Sequence, residues 1–292
     1  MLDKIVAFFM SIIAFFGSFF GVDIASEYEI FKDVVYGEAE INIMDIYVPD
    51  SAYENNTNGC VLFIHGGSWT RGTKEDMEAD CKELAEKGYI TATMNYTLYS
   101  EETTDTYSVS TVLDEIGMAI DKIKSFSEEK GLNVTKIATS GYSAGAHLSM
   151  LYSYSRANES AIPLVFTANR VGPADFSAEI WGELGPNLAI LLAGVETYQE
   201  YVNEGKEDEL VALVSPVTYV TRKTIPSLFG YGAKDPIVAF GNAESIMKAF
   251  DNAAAPYDMI VYPNSGHALL LDSDKAEEYS SKLVEYCEKY FS

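Results

Sequence analysis

Cysteine and histidine are both scarce in this 292-residue sequence. Its three cysteines, Cys60, Cys81 and Cys287, are widely spaced and form no C-x-x-C pair. A sparse, odd set of this kind argues against a disulfide framework and against a zinc site, so we expect buried or incidental thiols. With only three histidines and no H-E-x-x-H motif, the sequence gives no indication of a catalytic metal either.

Positive charge is scarce as well. The sequence has 20 lysines and arginines and 44 aspartates and glutamates, which gives a formal net charge of −24 at pH 7. Phosphate groups would repel such a chain, so the charge argues against nucleic acid and anionic membrane surfaces as partners. The hydrophobic share of 48% and the charged share of 22% are ordinary for a globular protein, so a sizeable core can form. The net charge gives no indication of the substrate.

One long apolar run, residues 5–22, carries no charge. As a helix its eighteen residues would measure about 27 Å, just enough to cross the hydrocarbon core of a bilayer. We therefore predict that residues 1–26 are a hydrophobic signal or membrane-anchor segment, with a helix packed on the domain as the alternative. The acidic flank that follows favours an N-terminus inside and a domain outside the cytoplasm, either secreted or anchored through residues 5–22.

Beyond residue 27 the hydrophobic pattern alternates between strand-like and helix-like spacing. Residues 28–48 predict two antiparallel strands, and the continuous apolar run 60–64 predicts a buried parallel strand. Strands that alternate with helices over roughly 260 residues predict an α/β fold with a mostly parallel central sheet and helices on both faces. Residues 175–214 break this rhythm, so we interpret them as a small inserted cap within a single domain, 27–292.

The most informative motif is Gly-Tyr-Ser-Ala-Gly at residues 141–145. It follows a short strand-like run and precedes a helix-like run, which is the context in which G-x-S-x-G forms a nucleophile elbow. The flanking glycines allow strand and helix to approach closely, while the sharp turn exposes the Ser143 hydroxyl at the carboxyl edge of the sheet. We predict Ser143 to be a nucleophile; an ordinary glycine-rich β–α turn is the alternative.

Three histidines are available as a base for Ser143. His65 precedes two glycines at a strand end, where a role in supporting that loop by hydrogen bonds is expected. His147 lies one helical turn beyond Ser143, on a face from which the elbow directs the serine away, so we predict a structural role. His267 lies in a loop after the last strand and can reach the sheet edge. We therefore assign His267 as the base.

The acid that orients the base should lie between Ser143 and His267 if the chain order Ser, Asp/Glu, His holds. Asp235 follows the predicted strand 227–231 in Gly-Ala-Lys-Asp-Pro, so a loop at a strand end presents it. Most other acids in this interval belong to helices or to the charged cap, where solvated positions are the norm. Asp235 is thus the predicted third member, and a surface turn is the alternative.

Donors for an oxyanion are expected from the loop His65-Gly-Gly-Ser-Trp69 and from the elbow. Glycine lets backbone N–H groups turn toward an anion, so we predict the N–H groups of Gly67, Ser68 and Ala144 as an oxyanion hole. Trp69 and Tyr142 are the predicted substrate-binding side chains. For Trp69 the main interpretation is a wall that packs the loop, with stacking on substrate as the alternative.

Together the motifs at residues 65–69 and 141–147, with Asp235 and His267, resemble the α/β-hydrolase superfamily. The likeness is to its esterase/lipase branch, in particular to hormone-sensitive-lipase-like and feruloyl or acetyl-xylan-esterase-like proteins of the H-G-G-x-W variant. It covers about residues 28–292. Thr97 follows Asn95-Tyr96 where relatives often carry arginine, which puts a supporting ion pair in doubt.

The resemblance implies an α/β-hydrolase fold and hydrolysis of carboxylic esters through an acyl-enzyme, without a cofactor. Small acyl groups, including acetyl or aryl esters of carbohydrates, are the expected substrates. An amidase or arylformamidase on the same fold is the alternative, because H-G-G-x-W loops also occur in such relatives. A non-catalytic binder would be expected to lack a member of the Ser143, Asp235 and His267 set. The oligomeric state stays open.

Overall fold

The computed structural model describes residues 28–206 and 209–292. The predicted signal or anchor segment lies outside these residues, as does the domain's first predicted residue, 27. Within the described part, no helix is both long and apolar enough to cross a bilayer.

An eight-stranded sheet forms the centre of the domain, in the order β1-β2-β4-β3-β5-β6-β7-β8. The pairs β1/β2 and β2/β4 are antiparallel, and every pair from β4 to β8 is parallel. The strands are β1 (Tyr28–Val35), β2 (Ile43–Pro49), β3 (Asn58–Ile64), β4 (Ile90–Met94), β5 (Val134–Tyr142), β6 (Leu164–Arg170), β7 (Ser227–Gly232) and β8 (Tyr257–Tyr262). The predicted mostly parallel central sheet is confirmed, with two antiparallel pairs at one end.

Helices connect the parallel strands and cover both faces of the sheet. They are α1 (Glu78–Ala85), α2 (Val109–Lys130), α3 (Ala144–Ser155), α4 (Ala178–Trp181), α5 (Leu184–Ala193), α6 (Val195–Glu204), α7 (Leu210–Val214), α8 (Gly241–Ala253) and α9 (Ser273–Phe291). Helices α4–α7 lie between β6 and β7, and we refer to them as the helical insert. They occupy the interval for which a cap over about 175–214 is predicted; the domain boundaries themselves stay a prediction.

The core lies on both faces of the sheet because strand side chains alternate between them. On one face of β3, Cys60, Leu62 and Ile64 pack with α2. On the other face, Val61 and Phe63 pack with α1 and α9. This two-sided burial explains the continuous apolar run in the sequence. All three cysteines are buried and unpaired, and burial raises the pKa of each thiol.

A buried lysine ties the antiparallel strands to the segment that follows β3. The Lys74 ammonium lies 2.8 Å from an Asp45 carboxylate oxygen, 3.1 Å from Asp33 and 2.8 Å from Glu75. Burial alone would lower the pKa of Lys74, but hydrogen bonds to these carboxylates outweigh it and raise the pKa. The Lys74 N–H also donates to Asn95 Oδ1 at 2.6 Å, which joins this cluster to the end of β4.

The start of α3 and the end of β3 approach each other at backbone distance. A Cβ on Gly145 would lie only 2.0 Å from the Ile64 carbonyl oxygen and 2.4 Å from that of His65. A Cβ on Gly141 would likewise lie 2.4 Å from the carbonyl group of Gly145. Both clashes are with backbone, which cannot rotate away as a side chain can. Glycine at these positions is therefore a steric requirement of the turn between β5 and α3.

This requirement predicts that Gly145→Ala destabilises the fold by roughly 1–3 kcal/mol or more, because the methyl group must displace β3 or α3. The matched control is Gly117→Ala within α2, where the nearest neighbour of an added Cβ is the Tyr152 hydroxyl at 3.6 Å. There, alanine should be neutral or stabilising by up to about 1 kcal/mol, because it is the better helix former. Urea unfolding of both variants measures the difference. Equal stabilities would contradict the steric argument.

Candidate active site

The predicted site residues meet at one edge of the sheet. Ser143 directly follows β5, and Asp235 and His267 lie in the loops after β7 and β8. The loop 65–69 follows β3, the neighbour of β5. Since these strands are parallel, their carboxyl ends lie at the same edge, which is where α/β sheets bind ligands.

Ser143 adopts a strained backbone conformation, with φ 55° and ψ −120°. Non-glycine residues rarely adopt positive φ, and such strain persists only when the surroundings hold it. Here the Ser143 N–H donates to the Arg170 carbonyl oxygen at 3.0 Å, and the Ser143 carbonyl oxygen accepts the His147 N–H at 3.0 Å. The turn is therefore fixed from β6 on one side and from within α3 on the other.

His267 lies between Ser143 and Asp235. Its Nε2 is 2.9 Å from the Ser143 hydroxyl oxygen, and its Nδ1 is 2.7 Å from Asp235 Oδ2. The other carboxylate oxygen of Asp235 accepts the N–H groups of Ile237 at 2.8 Å and Val238 at 3.0 Å. With Nδ1–H donating to Asp235, the unprotonated Nε2 faces the serine hydroxyl. This arrangement can take a proton from Ser143 and return it.

The loop that carries His267 is held by an aspartate that the sequence did not single out as functional. Asp272 accepts hydrogen bonds from the Asn264 N–H and side-chain amide and, at 2.6 Å, from the Ser265 hydroxyl. Burial would raise the pKa of Asp272, but these hydrogen bonds outweigh it and lower the pKa. Its place just before α9 suggests a helix N-cap, yet its side chain makes no capping bond and reaches back to the loop instead.

Tyr142 and Arg170 support the same loop from the side of the elbow. The Tyr142 hydroxyl donates to the His267 carbonyl oxygen, and the rings of the two residues pack edge to face with centroids 5.8 Å apart. The Arg170 guanidinium lies 5.4 Å from the centre of the Tyr142 ring and pairs with Asp80. Tyr142, predicted to bind substrate, thus contacts the base. Sequence reasoning did not identify Arg170 or Asp80, because no local pattern marks them.

The loop after β3 has the geometry expected of an anion-binding turn. Gly67, Ser68 and Trp69 all have positive φ, at 112°, 55° and 61°. In the part of the chain that the structure describes, the N–H groups of Gly67 and Ser68 donate no hydrogen bond. A Cβ on Gly66 would lie 2.8 Å from the Tyr142 carbonyl oxygen, so this loop packs directly on the elbow. Ala144, whose N–H is the third predicted donor, begins α3.

His65 lies beneath this loop. Its Nδ1–H donates to the Gly66 carbonyl oxygen at 2.7 Å, and its ring stacks on Tyr96 with centroids 4.3 Å apart. Burial lowers the pKa of His65, which favours the neutral ring. The hydrogen bond is the kind of loop support expected from the sequence.

Trp69 and His147 form a buried pair. The Trp69 Nε1–H donates to His147 Nδ1 at 3.1 Å, and the His147 Nε2–H donates to the Val214 carbonyl oxygen at 2.8 Å. Trp69 is only 5% exposed, which favours the wall interpretation over stacking on substrate. Burial lowers the pKa of His147 to about 4.

Thr97 occupies the position where an arginine was expected from the resemblance. Its N–H and hydroxyl both donate to the buried Glu115 carboxylate, at 2.8 Å and 2.6 Å, and Asn42 donates to it at 2.9 Å. Within residues 28–206 and 209–292, Glu115 takes part in no ion pair. Neutral donors therefore satisfy this carboxylate in place of a cation.

Comparison with solved structures places the fold among esterases with the α/β-hydrolase architecture. Esterase B from Lactobacillus rhamnosis superposes with a TM-score of 0.73 at 17% identity, covering 99% of this chain and 95% of that one. A carbohydrate esterase from gut microbiota superposes with a TM-score of 0.72 at 17% identity, covering 90% and 98%. At this identity the likeness defines the class of fold: an α/β hydrolase.

The BD-FAE family model matches residues 44–250, and the chain belongs to this family. A probable isoprenylcysteine alpha-carbonyl methylesterase of Oryza sativa subsp. japonica is 24% identical over 278 residues, 88% of this chain and 61% of the relative. A kynurenine formamidase of Danio rerio is 30% identical over 119 residues, 41% of this chain and 37% of the relative. The chain spans about three fifths of the length of the plant methylesterases that it matches.

The lowered pKa of His147 predicts a specific dependence of stability on pH. A histidine that stays neutral to about pH 4 in the folded protein, but protonates near 6.5 when unfolded, favours unfolding as the pH falls from 6.5 to 4. Between pH 7 and pH 5 this linkage removes roughly 2 kcal/mol of the free energy of unfolding.

Urea unfolding of the natural chain and of His147→Gln at both pH values isolates this contribution, because the variant lacks the titrating group. The natural chain should lose more stability than the variant does. Equal losses in the two proteins would show that His147 does not carry the linkage.

Proposed function

We propose that this protein is a carboxylic ester hydrolase that acts through an acyl-enzyme on Ser143. The observation that carries the proposal is the pair of hydrogen bonds at His267, 2.9 Å to Ser143 and 2.7 Å to Asp235. Membership of the BD-FAE family and the likeness to methylesterases support the same reaction class. A purely structural role for His267 would not explain why its Nε2 faces the hydroxyl of a serine with a strained backbone.

In the proposed reaction the Ser143 hydroxyl oxygen attacks the ester carbonyl carbon while His267 Nε2 takes the hydroxyl proton. Asp235 keeps the proton of His267 on Nδ1 and stabilises the imidazolium that forms. The carbonyl π-electron pair moves to oxygen, which the N–H groups of Gly67, Ser68 and Ala144 would stabilise. The imidazolium then protonates the leaving alcohol, and water, activated by the same histidine, releases the acid.

The proposed substrates are esters of small acyl groups, including acetyl or aryl esters of carbohydrates. The structural likeness to an esterase described as acting on carbohydrate supports this class. The reaction needs no cofactor, since the proposed nucleophile, base and oxyanion donors are all groups of the chain.

Amide hydrolysis is the second candidate. The kynurenine formamidase relative is 30% identical over its aligned part, and a formamidase splits an amide. The Ser143 hydroxyl could attack an amide carbonyl as it would attack an ester carbonyl. The difference from ester hydrolysis lies in the leaving group, because an amine must be protonated before it departs. His267 is placed to do this, because its Nε2 lies 2.9 Å from the Ser143 hydroxyl oxygen.

Ser143→Ala should abolish hydrolysis of short-chain p-nitrophenyl esters. Removal of a serine nucleophile from a Ser-His-Asp site costs on the order of 10⁶ in turnover. The reaction is followed by release of p-nitrophenol, with labelling of the active serine by a fluorescent fluorophosphonate as a second readout. Labelling should disappear in the variant. A Ser143→Ala protein with undiminished activity would refute the assignment.

Matched substrates decide between the two candidates. Hydrolysis rates are measured with one enzyme preparation on three substrates: an aryl acetate, an aryl formamide with the same aryl group, and an acetylated sugar. The Ser143→Ala protein gives the background rate. An ester rate well above the amide rate supports the esterase, and the reverse order supports the amidase.

We also propose that residues 5–22 place the domain outside the cytoplasm, as an export signal or an anchor. Tyr28, the first residue of β1, pairs with Pro49 at the edge of the sheet opposite Ser143. The six steps from Val22 to Tyr28 reach at most about 22 Å, whereas β5 alone rises about 26 Å. An anchor would therefore keep the edge that carries Ser143 off the bilayer, which favours soluble esters over membrane lipids.

A fluorophosphonate probe that cannot cross membranes tests this location. In intact cells that produce the full chain, the probe should label the protein from outside or in the medium. The control is the chain that lacks residues 1–26, which should be labelled only after lysis. If the full chain too is labelled only after lysis, the proposed location is wrong.

A further inference from the structure

His147 is a buried, titratable side chain that the proposed reaction does not use. It lies in α3, four residues beyond Ser143, and its backbone N–H donates to the Ser143 carbonyl oxygen at 3.0 Å. Both ring nitrogens are bonded to groups on other elements: Nδ1 to Trp69 and Nε2 to Val214. A single residue thus contacts the elbow, the loop after β3 and the last helix of the insert.

The hydrogen bonds define the protonation state of the ring. Because the Trp69 indole can only donate, Nδ1 must be the acceptor, and the proton lies on Nε2, which donates to the Val214 carbonyl oxygen. A proton on Nδ1 would place two donors face to face. Complete burial favours the neutral form as well.

Aromatic contacts continue this connection into the insert. The Trp69 ring packs edge to face on His147 with centroids 5.4 Å apart, and His147 packs on Phe176 at 5.1 Å. Phe176 in turn stacks on Trp181 of α4, with centroids 6.1 Å apart and planes 7° from parallel. Contacts therefore run without a break from the loop after β3 to both α4 and α7.

A leucine at position 147 would fill a similar space without the cost of burying two polar nitrogens. In some proteins buried polar groups are retained because they fix one arrangement against others of similar packing. Here the polar group bonds Trp69, which follows Gly67 and Ser68, the proposed oxyanion donors. Both have positive φ, so their N–H directions depend on how the end of the loop is held.

We propose that His147 is a positioning residue that, through the hydrogen bond from Trp69, fixes the oxyanion loop relative to the helical insert. This inference rests on the proposed function, because it assigns the loop its role in binding the oxyanion. The hydrogen bond between Trp69 and His147 should therefore affect the transition state, in which the substrate carbonyl oxygen is charged. It should affect binding of the neutral ester much less.

Trp69→Phe removes the indole N–H and keeps an aromatic ring against Phe176. We expect kcat to fall about tenfold, less than the 10²–10³ typical of deleting an oxyanion donor, because the N–H groups are displaced rather than removed. KM should stay within about twofold. Fluorophosphonate titration of active serines corrects each rate for the folded fraction.

An alkyl trifluoromethyl ketone gives a readout that a merely structural role would not change. The Ser143 oxygen adds to its carbonyl carbon, the π-electron pair moves to the ketone oxygen and the serine proton moves to His267. The adduct oxyanion then faces the loop. Its inhibition constant should rise by the factor by which kcat/KM falls. Tyr154→Phe is the control. It removes a hydroxyl elsewhere on α3 that is hydrogen-bonded to Ser227 of β7, and it should change neither kcat/KM nor the inhibition constant.

A double-mutant cycle shows whether the two residues act through one bond. His147→Leu should lower kcat by about tenfold or more, and Trp69→Phe in that background should lower it no further. Losses that multiply, or a Trp69→Phe enzyme with normal kcat and normal inhibition by the ketone, would overturn the proposal. Should His147→Leu fail to fold, Trp69→Phe alone still decides. Failure of the proposed function is recognised separately, by undiminished ester hydrolysis in Ser143→Ala.

Discussion

The backbone contact between the start of α3 and the end of β3 is the constraint on which the site depends. A Cβ on Gly145 would lie 2.0 Å from the Ile64 carbonyl oxygen, and one on Gly66 would lie 2.8 Å from that of Tyr142. Two segments that are far apart in sequence therefore meet at backbone distance. This contact sets the loop after β3 against Ser143, so the same steric demand that shapes the elbow also brings the proposed oxyanion donors to it.

Three histidines show how environment assigns different roles to one residue type. His267 lies between Ser143 and Asp235, with both ring nitrogens engaged in an arrangement suited to proton transfer. His65 and His147 are fully buried, and burial lowers the pKa of both, which favours neutral rings that act as hydrogen-bonding groups. Proximity in sequence to the serine is misleading here, because a helical neighbour faces the core while the elbow turns the hydroxyl outward.

Family membership and fold both indicate a hydrolase. The names of the relatives differ in the bond that is hydrolysed, an ester for the methylesterases and an amide for the formamidase. The methylesterase match covers most of this chain, and the formamidase match covers less than half of it. The proposed site suits either reaction, because the proposed nucleophile, base and oxyanion donors would serve ester and amide hydrolysis alike. Discrimination between the two reactions would lie in the groups that surround the leaving group.

The sequence by itself determined the alternation of strands and helices outside the helical insert, and it indicated Ser143, Asp235, His267 and the loop 65–69. It could do so because each lies at the end of a recognisable strand, and parallel strands bring such ends to one edge. Only the tertiary structure decided the partners of the supporting residues. His147 bonds a residue 67 positions away, and Arg170 one that is 90 away. Such contacts depend on how helices pack across the sheet, which no local pattern of residues encodes.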